Sequence, residues 1–370
     1  MIWNGITKVE TNIFKGLAIL MIAIHNFMHR FPTPKENEMK FMPENVYNLF
    51  DILLTEPAGI IRALFSYFGH FGVQVFIFLS AYGLMKKYAK NESDFLYVKF
   101  IFDRLEKIYP MFLLAIVSYF GFMFSINVIY NGMGFAEWFI PISKSFFFKF
   151  SLLYNFYPGT GFSLVGPWWF LSFIFQFYLV FPFILAMFKR FGNVFLIYIS
   201  LSCLIISLLT KGYLYSDVSV FFTPIGHMPV LCLGIYLAQD KPVKLSNWLF
   251  IVSIVAFVIG NFNEYAFLLS HFFFCVLLLC IFSFLTKKIK EGGLSYKICM
   301  FFGTISMPLF LVNGFLRKPW ESMAHEINNE LITIALCLLF LMISSIYSVF
   351  LLRIGNKVHY SIKAKLSSFY

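Results

Sequence analysis

Phe14–Phe31 reads FKGLAILMIAIHNFMHRF, an apolar run with Lys15 near one end and His25 well inside it. The run predicts a membrane-spanning helix. Ten residues of helix rise by about 15 Å, half of a hydrocarbon core roughly 30 Å thick. With Lys15 at the headgroups, His25 therefore lies near mid-membrane. An ionisable group at that depth is costly and marks a functional site unless a neighbouring helix satisfies it.

The rest of the chain supports a membrane setting. Of 370 residues, 60% are hydrophobic and only 13% are charged, about half the charged share of a soluble domain. The fold class expected is all-α, a polytopic transmembrane helical bundle of about ten spans. They fall at 13–31, 69–88, 109–130, 168–188, 193–210, 224–239, 246–262, 265–286, 298–316 and 331–352. Residues 1–352 would form the membrane domain and 353–370 a basic tail. The first run carries no cleavage pattern of small residues and is read as retained.

The formal charge of +11 does not point to nucleic acid, because the basic residues interrupt apolar runs and form no stripe. An even number of spans puts both termini on one side. Most of the 29 Lys and Arg then share that side, including Lys15, Lys86, Lys87, Lys90, Arg104, Lys107, Lys241 and the tail. Most acids, among them Glu36, Glu38, Glu321 and Glu330, fall on the other. The bias predicts a multi-pass protein of the inner (plasma) membrane with both termini cytoplasmic. No predicted span holds Asp or Glu, and the two halves show no repeat, which argues against a coupled transporter.

Two external connections are long. Pro32–Phe68 begins polar and Pro-rich and turns apolar, as an interfacial helix would. Asn131–Pro167 ends in the turn YPGTGFSLVGP and is expected to belt the headgroups or to wall a site that opens outward. On the cytoplasmic side, KFIFDRLEKIYP (99–110) places Arg104 and Lys107 on one helical face. With Lys15, Lys86 and Lys87 they form either positive-inside anchoring or a mouth for a phosphate-rich ligand. His70, His227 and His271 are equally open to a packing role. The six cysteines show no metal spacing, and there is no HExxH, GxSxG or P-loop pattern, so no metal is expected.

Several segments together resemble the integral-membrane acyltransferase family 3, whose members move acyl groups onto sugars of surface polysaccharides and glycolipids. Lys15–His25 is similar to the family's opening basic residue, apolar run and His. GHFGVQVFIFLSAYG (69–83), RLEKIYP (104–110), WFLS (169–172) and GTISMPLFLVNG (303–314) follow in the family's order. In strict register the His falls on Asn26, with His25 beside it. Ala81 stands for a common Gly, Lys107 for a second Arg and Asn313 for a late His.

The resemblance implies a membrane O-acyltransferase that takes an acyl group, expected to be acetyl, from cytoplasmic acyl-CoA. The acceptor would be a hydroxyl of a surface polysaccharide or a lipid-linked sugar. Lys15, Arg104 and Lys107 would bind the donor, and His25 would be the catalytic base or nucleophile. Asn26, Ser80 and Trp169 would support it, with no bound cofactor beyond acetyl-CoA as donor substrate. The competing expectations are a transporter or flippase for a glycan intermediate, and a non-catalytic scaffold.

Overall fold

The computed structural model describes residues 2–3, 5–89, 96–239, 242–244 and 247–367, with side chains of all but 2, 244, 247 and 359–367. Lys90 and Lys241 of the charge bias lie outside the described residues, as do the side chains of Lys244, Lys363 and Lys365.

Helix α1 (Lys8–Met28) opens on a capping box. The Thr7 hydroxyl accepts from the Glu10 amide at 3.1 Å, and the Glu10 carboxylate accepts from the Thr7 amide at 2.8 Å. Two otherwise orphaned donors are thereby satisfied. A connection then leads to α2 (Glu44–Thr55) and α3 (Ile60–Phe68), and α3 passes through a 3-10 turn at Gly69–Phe71 into α4 (Gly72–Tyr88). Next come α5 (Tyr97–Phe124), α6 (Phe135–Lys149), α7 (Trp169–Phe191), α8 (Asn193–Leu209) and α9 (Pro224–Leu237). They are followed by α10 (Asn247–Phe262), the short α11 (Glu264–Phe267) and α12 (Ser270–Lys288). The chain closes with α13 (Leu294–Thr304), α14 (Ser306–Leu316), α15 (Lys318–Ile327) and α16 (Glu330–Ser367). Among the described residues, strand is limited to Ile2–Trp3 with Val243–Lys244, and Tyr213–Tyr215 with Val218–Ser219.

Among the described residues, six stretches are long and apolar enough to cross a bilayer: Lys8–Met28, Pro57–Tyr88, Tyr97–Tyr130, Gly166–Phe191, Ser270–Lys288 and Glu330–Val358. Together α13 and α14 make a seventh, bent by 77° at their junction. Helices α8 and α9 have 17 and 14 residues, about 25 and 21 Å against a core of roughly 30 Å. By length alone six helices reach across, or seven with the bent pair, so the expected count of about ten spans is not confirmed. The remaining apolar segments are helical but short. α16 runs unbroken past residue 352, where a tail was expected to begin.

Helix α1 sits at the centre: Ala18, Ile19, Ala23 and Phe27 are fully buried. Small residues let other backbones close on it. A Cβ on Gly16 would lie 2.1 Å from the Cys299 carbonyl oxygen, and one on Gly303 would lie 2.1 Å from that of Asn12. Asn12 locks the same contact by donating to the Met300 carbonyl at 3.0 Å. The bend after α13 has a covalent reason. Pro308 has no amide hydrogen to continue the α13 ladder, and its ring would crowd the Thr304 carbonyl. The Ser306 hydroxyl takes up the Gly303 carbonyl at 2.9 Å.

At Gly69 an added Cβ would lie 2.5 Å from the His25 Cβ and 2.8 Å from the Met21 carbonyl oxygen. Gly69→Ala is therefore expected to push α1 from the 3-10 turn and cost about 1–3 kcal/mol, read as a lower unfolding midpoint of the purified protein. Gly121→Ala, which meets nothing within 4 Å, should leave the midpoint unchanged or raise it.

Candidate active site

Four of the basic residues singled out above converge on one cavity. Lys15 from α1, Lys87 from α4, and Arg104 and Lys107 from α5 line a space of about 490 Å³, with Ser80, Tyr178, Ser306 and Met307. A second opening of about 460 Å³ shares Lys15, Lys107, Ser306 and Met307. Ser306 and Met307 begin α14, so the bent span turns the positive end of a helix dipole toward these cations. Arg104 is 6% exposed. Its guanidinium lies over the rings of Phe100 and Tyr178, and its Nε is buried without a hydrogen-bond partner. Ser80 belongs to this cavity, and its hydroxyl donates to the Phe76 carbonyl at 2.8 Å.

At the other end of α1 lies a cavity of about 400 Å³, lined by His25, Asn26, His29, Glu36, His70 and Trp169 among others. The Nδ1 of His25 lies 3.0 Å from the Ser66 carbonyl oxygen and 3.2 Å from that of Phe65. Both are acceptors, so Nδ1 carries the proton and Nε2 is left with its lone pair. The close approach at Gly69 lets the α3 carbonyls reach the ring. Asn26 donates to the Asn313 side chain at 2.6 Å, so the residues standing at two of the family's His positions bond to each other across α1 and α14.

Two further imidazoles crowd His25, with ring centroids of His29 at 4.6 Å and of His70 at 5.5 Å. The Nδ1 of His29 pairs with the Glu36 carboxylate at 3.0 Å. Burial pushes His29 down from its ordinary value, with Glu36 opposing. Burial alone would raise Glu36, yet the hydrogen bond and charge of His29 hold its carboxyl well below the usual range. Ligand atoms of His25, His29 and Glu36 lie within 4.8 Å of one another, a spacing three ligands of one divalent ion can meet. Their mutual and backbone hydrogen bonds already occupy His25 Nδ1, His29 Nδ1 and Glu36 Oε1.

The wall facing α1 comes from the long connection before α7, whose Phe162, Leu164, Gly166 and Pro167 line the His25 cavity. Its fold is pinned by Lys149, which donates to the Thr160 carbonyl at 2.9 Å. Trp169 is buried, with its ring stacked near His227 at 6.0 Å. His227 and His271 stand next to each other at 5.3 Å, among aromatic rings. Phe310 of α14 lines both the cationic cavity and the His25 cavity, and so separates them.

Sequence reading had placed His25, Asn26 and Trp169 in one group with Ser80; the structure puts the first three in one cavity and Ser80 in the other. It had not singled out His29, Glu36 or Arg317. The four-residue step from His25 to His29 is the one signal that was available, since it sets both rings on one helical face. Glu36 and Arg317 lie at connections, where no periodicity applies.

A family model described as an acyltransferase domain matches residues 9–351, nearly the whole chain. A search of curated proteins finds no match, and a search of solved structures finds none either. Nothing found supports the alternative of a transporter or flippase. The chain belongs to acyltransferase family 3 and is a membrane acyltransferase.

Proposed function

We propose that the protein moves an acyl group, most simply acetyl, from acyl-CoA to a hydroxyl of a surface polysaccharide or lipid-linked sugar. The observation that carries this reading is the pair of cavities at the two ends of α1, one cationic and one holding His25, with Phe310 between them. The cationic end faces the cytoplasm of the inner membrane, in keeping with the bias of Lys and Arg. Lys15, Arg104 and Lys107 hold the phosphates of the donor, Arg104 through the nitrogen that is otherwise unpartnered. Ser80 lies along the donor's path. The pantetheine arm passes Phe310 and brings the thioester to His25.

The acceptor enters from the opposite side. His25 Nε2 takes the proton of its hydroxyl while the two carbonyls at Nδ1 fix the ring and favour the imidazolium that forms. The acceptor oxygen attacks the thioester carbonyl, the C–S bond breaks, and the leaving thiolate recovers the proton from His25. Protons balance without water. Asn26 holds α1 against α14 through Asn313, and Trp169 offers the sugar an apolar face.

His25→Ala is expected to lower transfer of acetyl from radiolabelled acetyl-CoA by about 10²-fold or more, with donor affinity unchanged. Full transfer by that variant would remove His25 from the mechanism. Arg104→Ala should weaken acetyl-CoA binding by about tenfold, the worth of one charge-assisted bond, in titration of the purified protein. Unaltered affinity would return Arg104 to topology alone.

A further inference from the structure

The His25 cavity has a charged rim that the reaction does not use. Arg317 stands at the junction of α14 and α15, is 8% exposed and lines the cavity. Its Nε meets the Glu321 carboxylate at 3.1 Å, while its Nη1 is buried without a hydrogen-bond partner. The other oxygen of Glu321 lies 3.5 Å from Arg30 Nε. One carboxylate therefore serves two guanidiniums. Lys318, also on the cavity wall, has its amine 3.5 Å from the thioether of Met123.

The other acids of the cavity do not cancel this excess. Glu36 is hydrogen-bonded to His29, and with Glu321 its charge offsets two of the three cations at most. Burial, and then the charge of Glu36, push the Glu38 carboxyl up to about 8, so at neutral pH most of it is uncharged. Burial lowers Arg317 to about 10, which still leaves it charged. A buried guanidinium with an open donor is costly until an anion meets it. Arg is suited to planar, two-oxygen partners such as carboxylate and phosphate.

We propose that the acceptor is an anionic sugar, whose carboxylate or phosphate is seated by Arg317 with Arg30 and Lys318 while its hydroxyl turns to His25. This names the substrate class within the transfer reaction proposed above and rests on that reading for the word acceptor. The anion fixes which hydroxyl is presented, because charge and base sit on different walls of one cavity. A neutral sugar leaves Arg317 Nη1 unpaired and is held less well.

Binding can be measured without any donor, which separates this proposal from the reaction itself. The full chain in phosphatidylcholine nanodiscs is titrated with glucuronate, glucose 1-phosphate and glucose. At least one of the two anions should bind ten or more times tighter than glucose, and added salt should weaken it. The stronger of the two identifies the anionic group. Arg317→Gln should remove at least tenfold of that affinity. Lys318→Gln, which breaks no buried ion pair, should remove threefold or more and carries the test if the Arg317 variant does not fold. Equal binding of the three sugars, or an anion preference untouched in both variants, would overturn the proposal. So would loss of the preference on adding phosphatidylglycerol, which would assign the site to a lipid headgroup. Full transfer by a His25→Ala protein would end the catalytic reading and leave these binding outcomes standing.

Discussion

The site depends on one contact, the His25 Nδ1 proton shared between the carbonyls of Phe65 and Ser66. Those carbonyls belong to the last turn of α3, where that of Phe65 also accepts from the Gly69 amide. The imidazole adds a further donor to this turn and is itself fixed in one tautomer. Gly69 makes the approach possible, since any side chain there would strike the His25 Cβ. A buried ring that would be a liability in hydrocarbon is thus held in one orientation, with Nε2 left unprotonated.

The second constraint is the broken span. Continuous helices seal a bilayer against polar groups, and irregular backbone is tolerated at depth only beside a cavity. The 77° bend between α13 and α14 does three things at once. It brings the start of α14 to the cations, sets Phe310 between the two cavities, and carries Asn313 to Asn26. The next junction, after α14, places Arg317 on the opposite rim. Breaks in the helical path therefore mark both the cationic cavity and the rim of the His25 cavity.

Depth along α1 could be counted in the sequence, which set Lys15 and His25 about 15 Å apart, and the structure places them in two different cavities. The face shared by Arg104 and Lys107 was likewise a matter of helical spacing, and both line the cationic cavity. What periodicity could not show is how a connection folds back. Glu36 lies on the Pro-rich stretch after α1, and only tertiary packing brings its carboxylate to His29. Nothing in the sequence set Arg317 apart, because its burial comes from a helix junction that apolar content does not reveal. The span count is unconfirmed for a related reason. Hydropathy registers apolar length but not the turns that end α8 and α9 after 17 and 14 residues.

The account stands or falls on whether a donor threaded from the basic cavity reaches His25 past Phe310. A structure with bound CoA measures this directly. The account predicts the diphosphate among Lys15, Arg104 and Lys107, with the sulfur beyond Phe310 and facing His25 Nε2. A pantetheine arm that ends on the basic side of Phe310, or phosphates bound away from Arg104, would contradict it.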